Sequence, residues 1–205
     1  MQFALRRIPV SWIWAASIVL VWICVSIRLQ QPLWAQQTSQ ALVAFGTLKG
    51  GDFAASEACR LVASQWLHVK FLHMLFNALV IAGVGQFAEV RFGRWTAVSL
   101  GLAGGTLAQL VTVYALPDAY ISGASQAYLA LCGLVLATGA VRSVWWWIAV
   151  VAVAIGAGLD LLVSGHATIK PGHLAGFAFG AIAGLALQLA WRTSWFAGAG
   201  AKRSA

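Results

Sequence analysis

The sequence predicts an all-α membrane protein with six transmembrane helices, and three observations carry that prediction. The chain is 61% hydrophobic and only 9% charged, against roughly 25% charged residues in soluble domains. Its apolar residues gather into runs of about 20, the number that crosses roughly 30 Å of hydrocarbon as a helix. The breaks between these runs hold most of the Arg, Lys, Pro, Asp and Glu. So much apolar surface cannot be hidden in one soluble core of 205 residues, and lipid is the expected solvent.

The spans fall at residues 8–27, 68–88, 95–116, 122–141, 143–163 and 173–191, in a single membrane domain over 1–205. The first, Ile8–Ile27, carries no charge and lacks a small-x-small cleavage site after it, so it reads as a retained helix. Residues 28–67 form a long mixed outer loop whose apolar pieces, Ala41–Phe45 and Leu61–Trp66, suit the membrane interface. Glu89, Arg91, Gly93 and Arg94 read as a tight polar turn after the second span, and Pro117 and Asp118 end the third. Arg142 separates the fourth from the fifth, whose Trp145–Trp147 forms an interfacial belt. Residues 164–172, with His166, form a loop, and a short basic tail follows the sixth span.

Charge sets the orientation. With the N-terminus inside, Arg6, Arg7, Arg91, Arg94, Arg142, Arg192, Lys202 and Arg203 are cytoplasmic. Arg28, Lys49, Arg60, Lys70 and Lys170 are then outside, mostly in the long loop, where the charge rule is weak. Both termini are therefore expected in the cytoplasm of a bacterial inner (plasma) membrane. The net charge of +8 is scattered in singles and pairs, without the basic patch that nucleic-acid binding needs. Cys24, Cys59 and Cys132 are too few and too dispersed for a disulfide framework or a CxxC metal site. No cofactor or metal is expected.

In this topology the second, fourth and sixth helices all run inward from the outer face. The second starts with His68, His73 and Asn77; the fourth with Gly123, Ser125 and Gln126; the sixth with His173. Intramembrane polar residues are costly and are candidates for function. A serine hydroxyl needs a base to become a nucleophile, and His173 can serve as one near neutral pH. His73 and Asn77 are four apart on one helix face and can aim at a single spot, as oxyanion stabilisation requires. No acidic residue is placed to complete a triad, so a Ser–His dyad is the simpler reading. Asp160, near the outer end of helix five, either faces water or pairs with Lys170. Gly172, Gly176, Gly180 and Gly184 make a small-residue stripe on helix six. Gly123, Ala127 and Gly133 are its expected counterpart on helix four, and contact between the two brings His173 to Ser125.

These residues resemble the rhomboid intramembrane serine proteases. The matching pieces are Gly-Ala-Ser at 123–125, His-Leu-Ala-Gly-Phe-Ala-Phe-Gly at 173–180 and His-Met-Leu-Phe-Asn at 73–77. His68, Arg60 and Glu89-Val90-Arg91-Phe92-Gly93 complete the likeness, which runs from about residue 59 to 184. It implies a rhomboid-like bundle with Ser125 as nucleophile and His173 as base. His73, Asn77 and the amides near Ser125 would form the oxyanion hole, and Arg60 would belong to a structured first loop. Gly123, Gly176, Gly180 and His68 would support the site. The implied partners are transmembrane protein substrates and the lipid bilayer. The compact six-helix form also resembles the rhombosortase-like enzymes that trim C-terminal sorting tails.

There are departures. Gln126 stands where the family usually has glycine, and Cys59 where an aromatic precedes the loop arginine. Leu129 replaces a tyrosine that stacks on the histidine, with Tyr128 one position early, which implies a looser hold on His173. Two other functions stand beside the protease: an inactive rhomboid-like protein that binds membrane clients, and a small transporter. Retention of both Ser125 and His173 argues against the first. The absence of an internal repeat or matched broken helices argues against the second.

Overall fold

The computed structural model describes residues 8–163 and 168–201, with only the backbone at 163 and 192–201. His166, Arg6, Arg7, Lys202 and Arg203 lie outside the described residues. Six helices build a bundle: α1 (Val10–Arg28), α2 (Phe71–Phe92), α3 (Arg94–Ala115), α4 (Ser125–Leu136), α5 (Val144–Val163) and α6 (Pro171–Ala201). Five are long and apolar enough to cross a membrane. Large apolar side chains such as Leu20, Leu79, Val90, Leu162 and Ile182 are exposed, while Asn77, Gln109, Ser125 and Gln126 are buried. That inversion is what lipid as solvent demands.

The expected fourth span, 122–141, is corrected: α4 has 12 residues, or about 18 Å of helix. The uncharged run continues beyond its end, but the helix does not. Every residue from Ser125 to Val135 is buried, and α4 packs against α2, α3, α5 and α6. Its last carbonyls are met by side chains of neighbouring helices. Trp146 Nε1 donates to Leu136 O at 3.2 Å, and Gln188 Nε2 donates to Ala137 O. A helix whose ends are satisfied by protein can stop short of the membrane face.

The glycines of α6 allow this central contact. A Cβ on Gly176 would strike the backbone oxygen of Gln126, and one on Gly180 that of Ala130. The counterpart on α4 differs from expectation. Gly133 does meet α6, at Phe177 and Ala181, but Ala127 faces Gly105 of α3 and Gly123 faces His73 and His68.

Three further boundaries are corrected. His68 precedes α2, which begins at Phe71. The predicted turn at Glu89–Arg94 is helix up to Phe92, with Gly93 alone breaking it before α3. Glu89 lies within the helix, and its carboxylate receives the backbone N–H groups of Val10 (3.1 Å) and Ser11 (2.5 Å) at the start of α1. Those are donors a helix leaves unpaired. Arg91 stacks its guanidinium 4.8 Å over the Trp191 ring. The basic tail expected after residue 191 continues α6 to Ala201.

The first loop is structured by short helices at Ser39–Leu42 and Arg60–Ala63 and a two-residue strand. That strand, β1 (Leu48–Lys49), pairs antiparallel with β2 (Tyr120–Ile121), so the loop is tied to the segment that leads into α4. Arg60 Nη1 donates to Val43 O (2.9 Å) and Thr47 O (3.2 Å), and its Nε pairs with Glu57 at 3.0 Å.

Candidate active site

Ser125 is the first residue of α4. The turn before it is fixed on three sides. Gly123 has φ +109°, a left-handed conformation that favours glycine. Its N–H donates to Ser64 O at 2.9 Å, and its carbonyl accepts from Gln109 Nε2 at 3.3 Å. The Ala124 N–H donates to His68 Nε2 at 3.2 Å. The amides from Ser125 onward are first-turn donors without an intrahelical partner.

His173, in the first turn of α6, places Nε2 2.8 Å from Ser125 Oγ. Its other nitrogen, Nδ1, lies 2.5 Å from Asp160 Oδ2 on α5. A carboxylate can only accept, so Nδ1 carries a proton and Nε2 presents its lone pair to the serine hydroxyl. Asp160 Oδ2 also accepts the Lys170 backbone N–H at 3.1 Å, and Lys170 Nζ lies 3.4 Å from Oδ1. Asp160 is buried, its side chain 1% exposed. The pairing with Lys170, one of two outcomes the sequence allows, is present, and His173 shares the same carboxylate.

His68, His73 and Asn77 meet beside Gly123. Asn77 Nδ2 lies 2.9 Å from His68 Nε2 and 3.4 Å from His73 Nε2. The two imidazoles pack edge to face at 5.6 Å. Because His68 Nε2 accepts from Ala124, its proton sits on Nδ1, which donates to Trp66 O at 3.3 Å. Burial, then the neighbouring His73, pushes His68 down to about 3, so it stays neutral. Asn77 therefore gives one N–H to His68 and directs its second, over a longer contact, towards His73 Nε2.

Beside the dyad lies a cavity of about 910 Å³ whose wall includes His73, Phe76, Tyr128, Asp160, Lys170 and His173. Ser125 is 4% exposed and lies behind the cavity wall, hydrogen-bonded to His173, which lines it. Tyr128 does not take the place of the stacking tyrosine: it packs edge to face on Phe76 at 5.6 Å. The looser hold on His173 implied by Leu129 is offset by the Asp160 contact. Gln126 is also accommodated. Its Nε2 lies 3.1 Å from where a Gly172 Cβ would be, and the close backbone approach is supplied by Gly176 on the facing helix. Gly180 continues that contact one turn further along α6.

Arg60 lies in the first loop, holding loop carbonyls away from the Ser125–His173 pair. Sequence reasoning missed Ser64 and Gln109, which hold the Gly123 turn, although Gln109 within an apolar span was a readable signal.

A Rhomboid domain family model matches residues 55–189. The chain is also similar to RHOMBOID-like protein 7 of Arabidopsis thaliana, 26% identical over 166 residues, covering 77% of this chain. The chain spans about half the length of that curated relative, 52%. The matched segment contains the first-loop arginine, all the polar residues around Ser125 and the glycine stripe of α6, within an integral multi-pass membrane protein. On the extent of that match, the chain belongs to the rhomboid family.

Proposed function

We propose that the protein is an intramembrane serine endopeptidase that cleaves transmembrane or membrane-anchored proteins near the outer face. The observation that carries this reading is the 2.8 Å contact between Ser125 Oγ and His173 Nε2 at two adjacent helix starts beside a cavity. Family membership supports it.

The chemistry follows from the atoms. Ser125 Oγ bonds to the substrate carbonyl carbon as His173 Nε2 takes the hydroxyl proton, and the carbonyl π pair moves to oxygen. That oxyanion is met by the first-turn amides of α4, with the Asn77 amide and His73 exchanging their long 3.4 Å contact for it. Collapse breaks the C–N bond, and the Nε2 proton passes to the leaving amine. Water repeats the cycle to free the acyl group. An intact substrate helix hides its carbonyls in hydrogen bonds, so a segment that unwinds locally enters the cavity most readily. The distribution of Arg and Lys supports a cytoplasmic location for both termini and an outward-opening site.

The test uses the full-length protein in detergent micelles. Wild type should label with a serine-directed fluorophosphonate and cleave a reporter transmembrane substrate. Ser125→Ala should do neither, and His173→Ala should lose cleavage while melting at the wild-type temperature. Wild type that neither labels nor cleaves refutes the protease reading. Cleavage by Ser125→Ala refutes the nucleophile.

A further inference from the structure

We infer that Asp160 is a positioning residue that turns the Ser125–His173 pair into a triad assembled from three helices. The inference rests on the protease reading for its consequence, but its geometry stands apart from it. Asp160 belongs to α5, His173 to α6 and Ser125 to α4. The distances run 2.5 Å from Asp160 Oδ2 to His173 Nδ1 and 2.8 Å from His173 Nε2 to Ser125 Oγ.

A buried carboxylate in that place does two things. It fixes the imidazole as the Nδ1–H tautomer, leaving Nε2 as the acceptor the serine proton needs. It also offsets the charge of the imidazolium formed once that proton arrives, while itself remaining a carboxylate. The second Asp160 oxygen is engaged by Lys170 Nζ and the first also accepts the Lys170 amide, so the carboxylate cannot rotate freely. α5 packs mainly on α2 and α4. The Asp160 contacts are thus a polar tie between α5 and the start of α6.

Among the described residues, the charged and titratable groups around His173 are Asp160 from α5, Lys170 from the approach to α6, His73 on α2 with Lys70 just before it, and Tyr128 on α4. Asp160 is the anion among them, and Lys170 the cation bonded to it. Two substitutions therefore act with opposite sign. In Asp160→Asn the amide oxygen can still accept from Nδ1 and the Lys170 amide, while its NH2 displaces the half-exposed Lys170 ammonium, since two donors cannot pair. Orientation is kept and charge is lost. In Lys170→Gln the carboxylate is relieved of the cation that lies 3.4 Å from Oδ1.

The experiment compares full-length wild type, Asp160→Ala, Asp160→Asn and Lys170→Gln in micelles. Steady-state cleavage is read against pH. The histidine tautomer is read by 15N NMR of histidine-labelled protein, with His173→Gln used for assignment. Asp160→Ala should lower kcat by about 10²- to 10⁴-fold with little change in KM, and the His173 signal should leave the pure Nδ1–H form. Asp160→Asn should keep that tautomer and move the acid limb of kcat/KM to lower pH by roughly one unit. Lys170→Gln should move it to higher pH. If Asp160→Ala lowers only the melting temperature, with tautomer and pH profile unchanged, Asp160 is a structural pin and the inference is overturned. If wild type cleaves nothing at any pH, the protease reading fails, and the tautomer comparison still decides the role of Asp160.

Discussion

Replacing Gly176 by alanine asks directly whether the close approach of α6 to α4 sets the Ser125–His173 distance. The added Cβ would abut the Gln126 carbonyl oxygen and lie 3.2 Å from its carbon and 3.3 Å from its Cα. These are backbone atoms inside a helix, so no rotamer change relieves them. Carbon pairs prefer about 3.5–4.0 Å. Relief therefore requires the helices to part by a few tenths of an ångström for the carbons and on the order of 1 Å for the oxygen. Gly176 lies one turn after His173, and that retreat carries the imidazole with it. A 2.8 Å hydrogen bond stretched to about 3.6 Å is no longer one. Misplacement of that size costs about 10²-fold in rate, or about 2.7 kcal/mol of barrier. Overpacking should lower stability by roughly 1–3 kcal/mol. Gly184→Ala is the control. Its Cβ would meet Leu134 O and Ala137 Cβ at 2.8 Å, but it sits about 12 Å further along α6. Reporter cleavage and tryptophan-detected melting in micelles should show similar destabilisation in both, with the large kcat loss in Gly176→Ala alone. Equal activity losses, or a fully active Gly176→Ala, refute the argument that this contact positions the dyad.

Two further predictions concern the residues around Ser125. His68 is held neutral with its value pushed down to about 3, so below the ordinary histidine value of about 6.5 the unfolded chain takes up a proton that the folded chain refuses. Stability is unaffected above that pH and falls as pH drops below it. The loss is on the order of 2 kcal/mol by pH 5, and melting curves from pH 7.5 to 5 should show it diminished in His68→Gln. Gln126→Gly should lower the melting temperature without raising activity, because it empties a buried site and adds about 1 kcal/mol of helix cost. A several-fold gain in kcat/KM at unchanged stability would mean the glutamine restrains the site.

The helices were legible because a lipid-spanning run of apolar residues has a length and a charge pattern that few other structures share. Ser125 and His173 were legible for a related reason: polar groups on helix starts in an apolar chain need an explanation. What stayed hidden depends on direction in space. Asp160 is 13 residues from His173, across a connection whose length does not say which side of α5 faces α6. Glu89 reads as a turn residue until its partners appear, and those are the amides of α1, 78 and 79 residues away. The pairing of Leu48–Lys49 with Tyr120–Ile121 is too short to leave a period-two pattern. The end of α4 at Leu136 was hidden because the uncharged run continues past it; Thr138 and the left-handed Gly139 close the helix, and Trp146 and Gln188 cap it from neighbouring helices.

The shortness of α4 bears on why the site lies where it does. A helix start is a liability in lipid, because its first amides have no partner within the helix. Here the liability is divided. The turn amides of Gly123 and Ala124 are satisfied by Ser64 and His68, which makes the approach to Ser125 rigid. The first-turn amides that follow point no donor at lipid, since α4 is enclosed by its neighbours. On the proposed protease reading they are left for an acceptor that arrives only during reaction, and oxyanion stabilisation consists of such preorganised donors. A full-length span at this position would carry its first turn to the membrane surface, where water would satisfy those amides. A 12-residue helix inside longer ones keeps them in a protected interior beside a cavity. Packing by Gly176 and Gly180 then brings His173 to the same depth, so the short helix and the glycine stripe are two parts of one arrangement.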